Sequence, residues 1–335
     1  GIRYQPRSRG LGDVYKRQAL GWTALEENTT ASNNTAVGHS ALKANTTASN
    51  NTAIGYEALK LNTTGTNLVA VGKGALSAST TGNTNTAIGI NALAANTTAS
   101  YNTAVGGGTL MANTTGASNT GVGQNTLYTN TTGASNTAIG AGALYANTTA
   151  SFNVAVGKDT LTANTTGAQN SGIGQGALYA NTTGSDNTAV GKSALVANTT
   201  GGSNSAFGAT ALDANVSGGN NNAFGYGALG FATVSDNNAF GTYALHSNTT
   251  GTFNVAVGHR TMISNTTGGN NTALGAYALD ANTTASNNVA IGKNALTACT
   301  TSPSNVCIGS GAGAAISTGN GENVVVGNNA AAAMT

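Results

Sequence analysis

A glycine returns along this chain with almost no error, and its spacing leaves few folds open. Of the 18 intervals from Gly21 to Gly327, 16 are 17 residues long; one is 16 (Gly225 to Gly241) and one is 18 (Gly309 to Gly327). A period this short and strict specifies a solenoid, in which each repeat packs mainly on its neighbours. Seventeen residues are too few for a helix–turn–helix unit, and the Gly and Thr content disfavours helix.

With the glycine as position 0, the unit reads N-T-A-V-G-x-x-A-L-x-A-N-T-T-G-x-x. Position −1 is apolar throughout (Val37, Ile54, Val71, Ile88), and Phe207, Phe224 and Phe240 fill it in successive coils. Position +4 is Leu in 16 of the 17 coils from Leu25 to Leu296, with Met262 the volume-conserving exception. Small residues hold −2 (Ala36, Ala53, Gly121, Gly172) and +3 (Ala41, Ala58, Thr109). This pattern predicts two large apolar side chains entering each coil, at −1 and +4. It also predicts two short strands, TAV and ALxAN, joined by polar turns. Coils stacked about 4.8 Å apart would give a rod on the order of 85 Å long. The Asn at +7 (Asn28, Asn45, Asn62, Asn96) is expected to stack as an amide ladder that satisfies turn backbone groups. A strand apolar or small on both faces needs more cover than one two-stranded coil supplies. The Ala–Gly ladder at −2 and 0 is therefore expected either to receive a neighbouring chain, with Ala155 and Ala189 at the interface, or to form a tight interior.

The repeat resembles the haemagglutinin-type repeats in the heads of trimeric autotransporter adhesins, whose units have the form N-x-x-A-[IV]-G-x-x-[AS]. It is more similar still to the NTAIG-xx-AL-xx-NTTG repeats of phage and prophage tail fibres, and the likeness runs from about Ala19 to Asn329. The resemblance implies an all-β chain: a β-solenoid, specifically a left-handed parallel β-roll of 17-residue coils, assembled as a trimer. It further implies a fibre shaft or head that mediates attachment rather than catalysis, placed outside the cell, on a cell surface or on a virion. Its partners would be other copies of itself, as a homotrimer or filament, and a host-surface glycan or protein receptor. The 17-residue unit is longer than that typical of adhesin heads, which favours the tail-fibre type. Neither a self-cleaving chaperone domain nor membrane-anchoring strands are recognisable in the sequence.

Composition divides the chain into three segments. Residues 1–18 hold Arg3, Arg7, Arg9, Lys16 and Arg17 against Asp13 alone, and without them the formal charge falls from +2 to −2. The stretch PRSRGLGDVYKRQ resembles translated sequencing adapter, so 1–18 is expected to be non-native or disordered. Residues 19–329 form the solenoid of about 18 coils, and 330–335 a tail expected to be truncated. Only 7% of residues are charged and the signs nearly balance. Nucleic-acid binding, which needs a basic stripe, is therefore not expected. No apolar run reaches the length of a membrane-spanning helix.

Chemistry-bearing residues are sparse. His39, His246 and His259 have no metal-ligand spacing, and the acids form no ladder, so neither a metal site nor paired catalytic carboxylates are expected. No cofactor motif stands out either, since GxGxG fragments are chance in a chain with 48 glycines. Cys299 and Cys307 are expected as two buried free thiols, with a local disulfide as the alternative. Recurrent aromatics offer the candidate contacts: Tyr128, Tyr145 and Tyr179 at +5, and Tyr101, Phe152 and Phe253 at −5. Such side chains either bind a partner or pack between copies. The alternative to a fibre is an ice-binding solenoid using Thr ladders. Against it, the doubled Thr of NTT belongs to a Gly-containing turn rather than a flat strand.

Overall fold

The computed structural model describes residues 17–332. The chain divides into two compact units, Gly1–Asp159 and Thr160–Thr335. Each is a parallel β-solenoid, without a helix among the described residues, and there are about 18 coils in all. The first unit carries β1 (Arg17–Leu20) and β2 (Asn34–Val37), then a three-residue strand in each coil from β3 (Thr52–Ile54) to β9 (Val154–Val156). The second runs from β10 (Ser171–Ile173) to β19 (Val324–Val326) in the same manner. Arg17 and Gln18, grouped by composition with the leading segment, pair here with Asn34 and Thr35. Residues 1–16 and 333–335, the rest of that segment and the end of the tail, lie outside the described residues.

The repeat sets the register. Thr35, Ala36 and Val37 pair with Thr52, Ala53 and Ile54, each 17 residues on. In the 16-residue coil Ala223 still pairs with Ala239 and Phe224 with Phe240, because the missing residue lies outside the strand.

The expected second strand does not form. In its place the residues at +2 and +4 adopt the left-handed conformation, as at Ser40 (φ 54°) and Leu42 (φ 50°). Burial explains why. Ala41 and Leu42 are consecutive and both fully buried, whereas successive residues of a strand face opposite sides. The left-handed turn lets both enter the core. Coil-to-coil pairing continues without a strand: Leu42 N–H donates to the Ala58 carbonyl at 3.0 Å, and Ala44 N–H to that of Lys60 at 3.0 Å.

The second correction concerns position −1. Ala36, Ala53 and Ala70 at −2 are completely buried, while Val37, Ile54 and Val71 beside them face outward. Most coils thus bury one large apolar side chain, the Leu at +4, rather than two; the coil of Gly72 buries Leu68 besides Leu76. The Ala ladder is interior to the coil, so Ala155 and Ala189, both fully buried, are no surface for a neighbouring chain. The interior is tight: where −2 is glycine, at Gly121 and Gly172, a β-carbon would meet the methyl of Thr109 or Thr160 in the preceding coil.

Asparagine fills the rest of the core. As expected, the +7 residues form an amide ladder, with Asn113 Nδ2 donating to Asn96 Oδ1 at 3.0 Å. A second ladder, at −4, runs beside it: Asn102 Oδ1 accepts from the backbone N–H of Asn119 at 2.9 Å. Both meet at the +10 carbonyl, since Gly116 O accepts from Asn102 Nδ2 at 3.0 Å and from Asn113 Nδ2 at 2.9 Å. Buried turn carbonyls are satisfied in this way coil after coil. The glycine at 0 is required by its backbone: Gly106 has φ +133°, and a β-carbon there would run into the carbonyl of Gly123.

Candidate functional site

Strand alternation leaves −3 and −1 facing outward as a two-column stripe. In the first unit it reads Thr86/Ile88, Thr103/Val105, Thr120/Val122 and Thr137/Ile139 on four successive strands. Among the described residues no strand after β1 contains a charged residue. In the second unit Phe207, Phe224 and Phe240 stack along this stripe with centroids 4.7 and 4.9 Å apart, close to the usual strand spacing. Hydrophobicity alone could not tell this column from the buried Leu column.

The −5 candidates stand furthest from the core. Tyr101, Phe152 and Phe253 are 66%, 64% and 60% exposed, at left-handed φ of 64°, 62° and 58°. The same conformation is held elsewhere by Asn33, Asn50 and Asn67, for which it is much less costly.

The +5 candidates behave differently. Tyr128 and Tyr145 stack face to face, centroids 5.2 Å apart and planes within 1°, so each ring covers the other. Tyr179 is exposed in the second unit. The structure therefore brings together only one pair among the six candidates.

Sequence reasoning missed further ring contacts, among them His259 against Tyr277 at 5.3 Å and two clusters of three. His39 lies between Trp22 and Tyr56, at 5.2 Å from each, all three at position +1 of successive coils. Beside them Lys60 Nζ donates to Glu57 Oε1 at 2.8 Å, and this bond foremost holds the Glu57 carboxyl below its ordinary value. At the 16-residue coil His246 stacks on Phe231 at 4.8 Å and tilts against Tyr243 at 5.0 Å. Its imidazole leans over Gly230, whose absent side chain opens the space; Asp213 stands on the other side. Burial pushes the Asp213 carboxyl up and the His246 imidazole down, and His246 Nδ1 is buried without a partner. The signal was available, since residues of one position fall into contact when they recur every 17.

Cys299 and Cys307 are buried and form no disulfide, each thiol pushed up to about 11 by burial; Cys299 Sγ donates to the Ser302 carbonyl at 3.2 Å. The first Thr of NTT is structural: Thr97 Oγ1 donates to the Thr114 carbonyl at 3.2 Å, and its counterparts do likewise. The second, as at Thr98 and Thr115, is exposed. Among the described residues no three His, Cys, Asp or Glu side chains converge to hold a metal, and no helix is long and apolar enough to cross a membrane. Neither the protein-family models nor the curated proteins contain a match to this chain.

Proposed function

We propose that this chain is a structural fibre component that mediates attachment, of the kind found in phage tail fibres and bacterial surface adhesins. Copies associate side by side, as a trimer, through the outward stripe at −3 and −1. One observation carries the reading: a strand stripe free of charge after β1, with large apolar side chains in register at −1, as at Ile88, Val105, Val122 and Ile139. Such a surface is costly to leave in water and is the expected signature of an interface. Light scattering on the full chain tests it, with a trimer expected. Val122→Glu together with Ile139→Glu should give monomers that keep their β circular dichroism; monomers from the unaltered chain would defeat the reading.

Ice binding is the second reading. It gains from the outward Thr at −3, present on six of the eight strands from β2 to β9, which lies on a strand rather than in a turn. Thermal hysteresis that disappears in Thr103→Lys would favour it over the fibre.

A further inference from the structure

We propose that Tyr101 and Phe152 are the two ring contacts of a binding site for a neutral, extended glycan lying along the coils of the first unit. The inference rests on the attachment reading and names its ligand class.

The argument begins with conformational cost. A bulky aromatic residue at φ above +60° is strained, and Asn would hold the same backbone more cheaply, as it does at Asn33, Asn50 and Asn67. Exposure brings no compensating burial to either ring. Residues that are both strained and exposed are candidates for function, since stability alone selects against them.

The floor between the rings indicates the ligand. Tyr101 and Phe152 are three coils apart, about 14 Å along the stack. Ser118 and Ser135 occupy the same position in the two intervening coils and are exposed. Alongside, Ser100 Oγ accepts from Asn83 N–H at 2.9 Å and Ser151 Oγ from Ala134 N–H at 3.0 Å. Those hydroxyls keep their protons free to donate outward. No charged residue occurs at −6 or −5 in these coils, from Asn83 and Thr84 to Ser151 and Phe152.

An anionic ligand would need cations that this strip lacks. A protein partner would need a contiguous apolar centre, and here two rings are separated by hydroxyls. A sugar chain presents what fits: C–H faces for the rings and hydroxyls for the serines between them. Phe253 is a single copy of the same feature in the second unit.

Affinity electrophoresis of the full chain through gels containing neutral β-glucan, galactomannan or xylan tests the site. Retardation by at least one polysaccharide is expected. The double variant Tyr101→Asn, Phe152→Asn should weaken it about tenfold or more, the effect of losing anchoring rings. Its melting midpoint should stay level or rise, because Asn suits the left-handed backbone. No retardation by any of the three, or equal retardation of parent and variant, would overturn the assignment. A parallel adhesion assay on whole cells separates the two claims. A variant that adheres like the parent removes the glycan site and leaves the attachment reading intact. A parent that adheres to no cell removes attachment, while retardation in the gel still reports on the site.

Discussion

Asn130 donates its side-chain amide to Oδ1 of Asn113, one coil earlier, at 2.8 Å. Asn113 in turn donates to Asn96 Oδ1 and to the carbonyl of Gly116. Asn113 is thus donor and acceptor at once, in a core that it shares with the buried Leu and Ala columns. Asn113→Ala should cost about 2–3 kcal/mol, because it orphans buried groups in neighbouring coils as well as its own. Urea denaturation of parent and variant measures this. A loss below about 0.5 kcal/mol, the range of a neutral surface change, would show that the ladder contributes little.

The glycines separate into two kinds, and the difference is measurable. Gly106 has φ +133°, where no side chain is comfortable, and a β-carbon would strike the next coil. Gly176, at +2, has φ +65° and open space, with Ser193 Oγ the nearest atom at 4.0 Å. Gly106→Ala should destabilise by more than about 2 kcal/mol. Gly176→Asn should stabilise by roughly 0.4–1 kcal/mol by restricting the unfolded chain. Equal effects from the two substitutions would refute the distinction.

The same contrast shows how far the sequence can be read. Repeat length, register and the buried Leu column were legible because they recur with few exceptions, a 16- and an 18-residue interval and Met262 among them. The choice between Ala36 and Val37 for the interior was not, since apolar character suits either and a one-residue slip exchanges the faces of a strand. The second strand was misread for a related reason. Leu is a poor residue for the left-handed conformation, so nothing local announces Leu42 in a turn; the requirement to bury it together with Ala41 imposes that conformation. Of the candidate site, the −5 rings were legible as recurrent positions. Their strain was not, because it arises from how the coil closes.

The cluster at the 16-residue coil should make stability depend on pH in two opposed ways. Burial lowers the pKa of His246, so folding favours the neutral ring. Its contribution is complete above the ordinary histidine value near pH 6.5 and is lost as pH falls from there through the lowered folded value. Burial raises the pKa of Asp213, so the carboxylate costs stability at neutral pH, and the cost is relieved as pH falls through the raised value. Melting midpoints from pH 8 to about 5 should therefore fall less for His246→Phe than for the parent. Asp213→Asn should raise the midpoint at pH 7. Parallel curves for parent and His246→Phe would remove the histidine from the account.

The ladder has a break, and mending it is the most direct test of the core. Position +7 is Ser79 where its neighbours are Asn62 and Asn96, and the consequence is local: Asn62 Oδ1 and Ser79 Oγ are both buried without partners. Asn96 keeps its bond to the Ala99 carbonyl at 3.1 Å. Leu68 stands at −4 of the same coil, where most coils carry the second Asn, so this coil lacks both amides. In Ser79→Asn the new amide nitrogen can donate to Asn62 Oδ1, and its oxygen can accept from Asn96. Two orphaned atoms are replaced by two hydrogen bonds at no change in backbone, which should stabilise the first unit by about 1–2 kcal/mol. Hydrogen exchange should register the gain most at the amides of the coils flanking residue 79, because repeat stability is set by nearest neighbours. A destabilised variant would mean that Leu68 has already taken the space the amide needs. The Asn ladder would then be a packing arrangement as much as a hydrogen-bonded one, and Leu68→Asn combined with Ser79→Asn should recover the loss.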